Sequence, residues 1–249
     1  MSSTGLPPPS ASGGESYPGR ARLQPRAQAT RLAILTAAAG HFARAGYHAT
    51  SLDSVLADSG GTKGALYFHF ASKEMLARAV IAQMVQRWGD LREQISRRGL
   101  DPLSELVALV DGVIALLIDD PIARGGTRLL NELSMQKPDA YGHYDFGERA
   151  TCDLLIRAAQ AGLLREGIHP VLVARQIVAI VAGHRQICDA VGDRQQLWQR
   201  IDGAWALLLP AIATDTWIAS APSRPPRHGD ISGLSKGPRR HGGNATPGP

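Results

Sequence analysis

Thr50–Ile81 reads TSLDSVLADSGGTKGALYFHFASKEMLARAVI. Leu52, Val55 and Leu56 give a short helix one apolar face, and Ser59-Gly60-Gly61 breaks it. Thr50 with Asp53 three residues on reads as a capping-box variant opening that helix. A second short helix is expected from Thr62 to about Phe68, with Leu66 and Phe70 one turn apart and facing inward. Ser72 then caps a long helix through Met75, Leu76, Val80, Met84 and Trp88. Upstream, Arg31–Ala45 places Ile34, Ala38, Phe42 and Ala45 at helical spacing; Gly46 ends that helix and Tyr47 folds back on it. Two short helices joined by a glycine turn and braced by a third form the unit that lays one helix in a DNA groove.

The side chains of the helix at 62–68 suit that task. Thr62 stands where free backbone N–H groups and the helix dipole favour a phosphate oxygen. Lys63 adds a full charge. Gly64 costs about 1 kcal/mol relative to alanine inside a helix, which is intelligible where backbone must approach DNA closely. Tyr67 lies one turn beyond Lys63, and His69 and Lys73 extend the rim. The candidate DNA-binding set is Arg31, Thr50, Ser51, Thr62, Lys63, Gly64, Tyr67, Phe68, His69 and Lys73. A small aromatic core is the competing reading, and for Phe70 the preferred one.

The net charge of +5 over 249 residues is concentrated at the ends. Residues 221–249 hold Arg224, Arg227, Lys236, Arg239 and Arg240 against Asp230, and residues 1–26 hold Arg20, Arg22 and Arg26 against Glu15, leaving the body at −1. Both ends are rich in Pro, Gly and Ser and too poor in large apolar side chains to offset the entropy of ordering them. Residues 1–25 are therefore expected as a disordered basic arm and 219–249 as a disordered basic tail. The arm, with Arg20, Arg22, Arg26 and Arg31, either tracks DNA or is a solvated tail. The most apolar runs, LVALVDGVIALLI and VLVARQIVAIVAG, are short and broken by Asp111 and by Arg175 with Gln176, so a soluble cytoplasmic chain without a membrane partner is expected. Cys152 and Cys188 fit no metal or redox spacing.

Beyond Trp88 the chain alternates helical runs with short breaks and shows no period-two strand. Helices are expected from Glu148 to Ala161, Pro170 to Ala190 and Arg194 to Ala213, with Lys137–Gly147 a loop. The fold class is all-α: a helix-turn-helix DNA-binding domain at 26–73 and a helical ligand-binding and dimerisation bundle at 74–218. No nucleophile–base pair, metal set, paired acids or phosphate loop is present, and His41, His48, His69, His143, His169 and His184 are scattered, so neither catalysis, metal nor cofactor is expected.

The quoted stretch resembles the DNA-binding segment of the TetR family of repressors. The form TKGALYFHF…SKE…LA is similar to the γ-butyrolactone receptor branch found in antibiotic-producing actinomycetes. The match is strong from Arg22 to Gln83, with weaker echoes in LLIRAAQAGLLREGI and RIDGAWALLLPAIA. One departure is Gly61, where the family usually has an apolar residue, so a packing contact between the second and third helices is expected to be missing. The resemblance implies a homodimer on a palindromic double-stranded DNA operator, released by a small effector of γ-butyrolactone, furan or butenolide type. It further implies that the last two long helices form the dimer contact, and Val171, Val178, Val181 and Ile187 with Ile201, Trp205, Leu208 and Leu209 offer apolar surface for it; an intramolecular core is the alternative.

The ligand candidates by spacing are Met84, Trp88, Arg128, Asn131, Phe146 and Val181. Phe146 falls where the family usually carries a pocket tryptophan, which retains a ring and loses an indole N–H. Arg128 has two readings: a partner for an acidic ligand, or a salt bridge to Glu132 four residues on. A regulator answering to an antibiotic or to no lactone is the other reading of the whole.

Overall fold

The computed structural model describes residues 18–134 and 142–221, with side chains over 25–132 and 146–221. The expectations for residues 1–17, 135–141 and 222–249, including most of both basic ends and half of the Lys137–Gly147 loop, lie outside the described residues.

Among the described residues all regular structure is helical. The elements are α1 (Pro18–Ala49), α2 (Leu52–Ser59), α3 (Lys63–His69), α4 (Lys73–Ser96), α5 (Pro102–Asp119), α6 (Pro121–Ser134), α7 (Gly142–Gln160), α8 (Pro170–Val191), α9 (Gln196–Ile212) and α10 (Asp215–Ser220). Three boundaries differ from the sequence reading. α1 starts at Pro18, inside the arm expected to lack structure, because extending a formed helix through Ala, Arg, Leu and Gln adds a hydrogen bond per residue without a new nucleus. α7 starts at Gly142 rather than at Glu148. α10 was not anticipated; Thr214 caps it by accepting from the Trp217 N–H.

The side chains pack into two cores. One joins Ile34, Leu35, Phe42, Val55, Leu66 and Phe70 of α1–α3 to Leu76, Val80 and Met84 of α4 and to Ile122 and Leu129 of α6. The other is built from α5 and α7–α10, with Leu106, Ile114, Leu155, Ile177, Ile201 and Trp205 near its centre. The first core thus takes in the first half of α4, to Met84, with Trp88 packed against it. Ile201 and Trp205 are 2% and 3% exposed, so they belong to the subunit's own core and not to a dimer face. Cys152 and Cys188 are free thiols, and burial pushes the Cys188 thiol up.

α6 joins the two halves at close range. A Cβ on Gly125 would stand 2.3 Å from the Ala39 carbonyl oxygen, and one on Gly126 would stand 2.7 Å from Met84 Cβ, so α6 wedges backbone-first between α1 and α4. At the other end, Asp101 caps α5 through the Leu103 and Ser104 N–H groups and accepts Trp217 Nε1–H at 3.0 Å. Burial pushes its carboxyl up, but hydrogen bonds from Ser104, Trp217 and Leu103 outweigh this and hold it below 3.8.

Gly125→Ala is expected to lower the melting temperature through an overpacking cost of about 1–3 kcal/mol. Gly64→Ala, where a Cβ meets nothing within 4 Å, should leave it unchanged or raise it. Because the folded Asp101 pKa lies below its unfolded value, its stabilisation is present above about pH 4 and lost as pH falls through the folded value. Denaturant titrations of Asp101→Asn should therefore show a shallower loss of stability below about pH 4 than the parent chain shows.

Candidate DNA-binding and ligand sites

The head is built so that α3 shows one face to solvent. Leu66 is fully buried and Phe70 is 3% exposed, which fixes the rotation of the helix. Thr62 caps it by accepting from the Ala65 N–H at 3.2 Å. On the opposite side Lys63, Gly64, Tyr67 and Phe68 are exposed, Phe68 at 81% and Tyr67 at 48%. Phe68 is therefore no part of the head core, and its ring meets only the neighbouring His69 ring edge-on among the described ring contacts. α2 is held under α1 by the His41–Asp58 contact at 2.7 Å and by Arg44 at 3.6 Å from the same carboxylate.

Of the ten candidates, seven are exposed: Arg31, Ser51, Thr62, Lys63, Gly64, Tyr67 and Phe68. Ser51, not Thr50, caps α2, accepting from Ser54 N–H at 3.0 Å. Thr50 is 3% exposed and donates its hydroxyl to the Gly46 carbonyl at 2.7 Å, which removes that hydroxyl from any phosphate. His69 is half-buried between the Phe68 and Phe70 rings. Lys73 donates to the His48 carbonyl at 3.1 Å and lies over the Tyr47 ring, so it ties α4 to the end of α1. Arg31 lies over the Phe70 ring, 5.3 Å from its centroid. At Gly61 a Cβ would be 3.2 Å from Ser59 Oγ at the end of α2 and 3.7 Å from Ile34 Cγ1 of α1.

Arg128 is engaged with protein. Its Nε donates to Glu132 at 2.8 Å, and its Nη1 donates to the Ala43 and Arg44 carbonyls at 3.1 and 3.0 Å. Glu132 accepts the Tyr47 N–H at 2.7 Å. Together they satisfy backbone groups that α1 leaves unpaired where Gly46, at φ 79°, interrupts it. A Cβ on Gly46 would fall 2.3 Å from Glu132 Oε1, so glycine is required there both for its dihedral and for this carboxylate. The salt-bridge reading of Arg128 holds, with two backbone caps that no spacing announced.

Between α4, α5, α6, α7 and α8 lies a cavity of about 160 Å³. Leu109, Val110, Val113, Leu117, Ile177, Val178 and Val181 make it apolar; Trp88, Thr127, Asn131, Phe146, Arg92 and Arg185 bring rings and polar groups to it. Trp88, Asn131, Phe146 and Val181 are therefore among its lining residues. Arg128 and Met84 are not: Met84 is fully buried in the head core beneath Gly126, its sulfur accepting from Thr127 Oγ1 at 3.3 Å. The sequence reading missed the α5 residues, since a helix apolar nearly all round does not say which side faces a hole, and it missed Arg92 and Arg185. Arg185 is paired with Asp189 at 2.9 Å. The indole Nε1 of Trp88 is buried and has no hydrogen-bond partner.

Glu132→Ala should leave the Tyr47 amide without its acceptor. The expected result is a loss of about 1–3 kcal/mol in stability, with faster hydrogen exchange at the Tyr47 amide than at amides in the middle of α5.

Residues 34–80 match the family model described as bacterial regulatory proteins, tetR family. The A-factor receptor protein of Streptomyces griseus is 32% identical over 200 residues, covering 79% of this chain and 68% of that protein. A γ-butyrolactone receptor described as ArpA-like superposes with a TM-score of 0.66 at 29% identity, over 78% of this chain and 94% of that one. CprB of Streptomyces coelicolor, solved with its biological operator sequence, superposes with a TM-score of 0.67 at 30% identity, over 78% and 94%. These likenesses agree with one another and with the helix-turn-helix head: the chain is a transcriptional regulator belonging to the tetR family.

Proposed function

We propose that the protein is a repressor that binds a palindromic operator as a homodimer and leaves it when a small, largely apolar effector fills the cavity. The observation that carries the reading is α3, anchored by Leu66 and Phe70 and presenting Lys63, Gly64, Tyr67 and Phe68 outward. Lys63, Thr62 and Ser51 serve phosphate oxygens, and the Tyr67 hydroxyl a further one. Gly64 lets backbone approach, and Phe68 offers an apolar contact to base edges. Arg31 flanks the surface, while Thr50, His69 and Lys73 hold its shape. The solved CprB–operator complex supports a DNA partner of this kind, reached in the cytoplasm.

The second copy is argued from α8 and α9. α8 is 22 residues long, apolar enough by length and composition alone to cross a membrane, yet only 17% of its most apolar stretch is buried. Leu172, Ala179, Gly183, Ile187 and Ala190 of α8 and Leu207 and Ala211 of α9 are exposed, Leu207 at 78%. Small and apolar side chains in register on two adjacent helices suit a tightly packed helical interface with the same face of a second subunit.

The effector proposed is of γ-butyrolactone, furan or butenolide type, and the genes controlled are those of antibiotic or secondary-metabolite biosynthesis; both rest on the likeness to γ-butyrolactone receptors. Coupling to DNA runs through α4 and α6. Trp88 and Thr127 meet the cavity, while α4 begins at the head and α6 carries the Arg128–Glu132 clasp on α1. An effector that fits the cavity better in one head spacing than another shifts the population by that difference in affinity and no more. A second reading, a regulator answering to an antibiotic or to no lactone, is favoured by Phe146, which brings a ring to the cavity without a donor.

The test is a gel shift with DNA upstream of the protein's own gene, repeated with lactones and furans. The expected result is a shifted band that one compound class removes. Tyr67→Ala should abolish the shift while the dimer persists, and Lys63→Ala should weaken binding to all sequences and lower the salt slope by about 1. Leu207→Glu should give a monomer in sedimentation velocity that no longer binds the operator. Specific binding by Tyr67→Ala would refute α3 as the reading helix.

A further inference from the structure

Leu66 is the one fully buried side chain of α3, and a helix of seven residues is too short to persist without such an anchor. The C-terminal end is held firmly. The Phe70 N–H donates to the Leu66 carbonyl at 2.7 Å, the Phe70 ring is buried, and Arg31 of α1 lies over it. The N-terminal end hangs from Gly60, Gly61 and Thr62. Thr62 turns its hydroxyl and its carbonyl into α3 itself, toward the Ala65 and Leu66 N–H groups at 3.2 and 3.0 Å. Ser59 Oγ, accepting the Gly61 N–H at 3.3 Å, ties the turn back to α2. The two glycines are not equivalent. Gly60 ends α2 at φ 65°, in the left-handed region that a side chain resists. Gly61 has a negative φ. A Cβ there would meet Ile34 Cγ1 and Cδ1 at 3.7 and 3.8 Å, ordinary packing distances to a fully buried side chain, and Ser59 Oγ at 3.2 Å, the tip of a side chain that can turn. The fold thus has a place for a methyl group at 61 and leaves it empty. Glycine where no dihedral requires it adds backbone freedom, both to the unfolded chain and to a locally opened turn.

Resting on α3 as the reading helix, we infer that Gly61 is a hinge and a specificity-determining residue: α3 rocks about Leu66 and Phe70, its N-terminal end swings at Gly61, and the protein thereby accepts operators that differ within a half-site. One or two residues able to absorb a change in φ and ψ suffice for such a hinge. Lys63 and Gly64 lie between the hinge and the first anchor, whereas Phe68 lies between the two anchors, so the N-terminal end travels further than Phe68 does. Bases reached from that end are the ones read loosely. A methyl group at 61, seated on Ile34, would hold α3 in one pose, and a wrong base could then no longer be accommodated by movement.

The experiment has two arms, both on the full chain. Amide hydrogen exchange compares Ala65 and Leu66, whose N–H groups bond to Thr62, with Phe70, whose N–H bonds to Leu66. Corrected for intrinsic rates, Ala65 and Leu66 should exchange faster than Phe70 in the parent. Gly61→Ala should slow those two by about two- to fivefold and leave Phe70 unchanged. Ser59→Ala combined with Gly61→Ala removes the one close approach and should do the same, so a single variant that folds poorly does not decide the matter. The second arm uses DNA upstream of the protein's own gene, intact and with single base changes through one half-site. The ratio of affinities for intact over altered fragments should rise about two- to fivefold in Gly61→Ala. Equal protection of Ala65, Leu66 and Phe70 in the parent overturns the hinge, and so does exchange that neither variant slows. Slowed exchange with an unchanged or smaller affinity ratio overturns the role in specificity. Should Tyr67→Ala still bind the intact fragment specifically, the reading helix itself is refuted. Should Tyr67→Ala lose the fragment while Gly61→Ala leaves the ratio where it was, the reading helix stands and this inference alone fails.

Discussion

The approach of α6 to α1 is the constraint on which the rest depends. Gly125 lets the two backbones meet where any side chain would collide with the Ala39 carbonyl, and Gly126 does the same toward Met84 of α4. One to two turns further along α6, Arg128 and Glu132 close over the interrupted end of α1, pairing the Ala43 and Arg44 carbonyls and the Tyr47 amide. Backbone-to-backbone contact leaves little room for independent movement, since packed interfaces of this density shift as units. The head is thereby carried on the same helix that walls the cavity.

α6 has a division of labour by face. Ile122 and Leu129 fill the head core, Gly125, Arg128 and Glu132 meet α1, and Thr127 and Asn131 line the cavity. With 3.6 residues per turn these sets fall on separate sides of one rod. α4 is organised likewise: Leu76, Val80 and Met84 belong to the head, and Trp88 and Arg92, one to two turns on, belong to the cavity. The long α4 thus runs from the head core to the cavity wall.

The exposed face of α3 was legible because its signals are local. Leu66 and Phe70, one turn apart, set the rotation of α3, and once these are inside, Lys63, Gly64, Tyr67 and Phe68 must be outside. Thr50 and Lys73 show the opposite case. Their chemistry suits a phosphate, but each found a carbonyl of α1 nearby, at Gly46 and His48, which only the return of the chain places within reach. Met84 lies on the α4 apolar stripe, but which core that stripe meets there depends on where α6 crosses.

From residue order alone came the helical class, the helix-turn-helix with its inward and outward faces, the basic ends, and the family likeness, all of which rest on periodicity, caps and breakers within a few residues of one another. Only the folded chain decided that Arg128 caps α1 instead of meeting a ligand, that Ile201 and Trp205 stay within the subunit, and that Trp88 and Arg92 reach a cavity walled by five helices. Those outcomes depend on helix crossings between segments up to about a hundred residues apart, and a crossing is set by the joint packing of both surfaces, which neither segment encodes by itself.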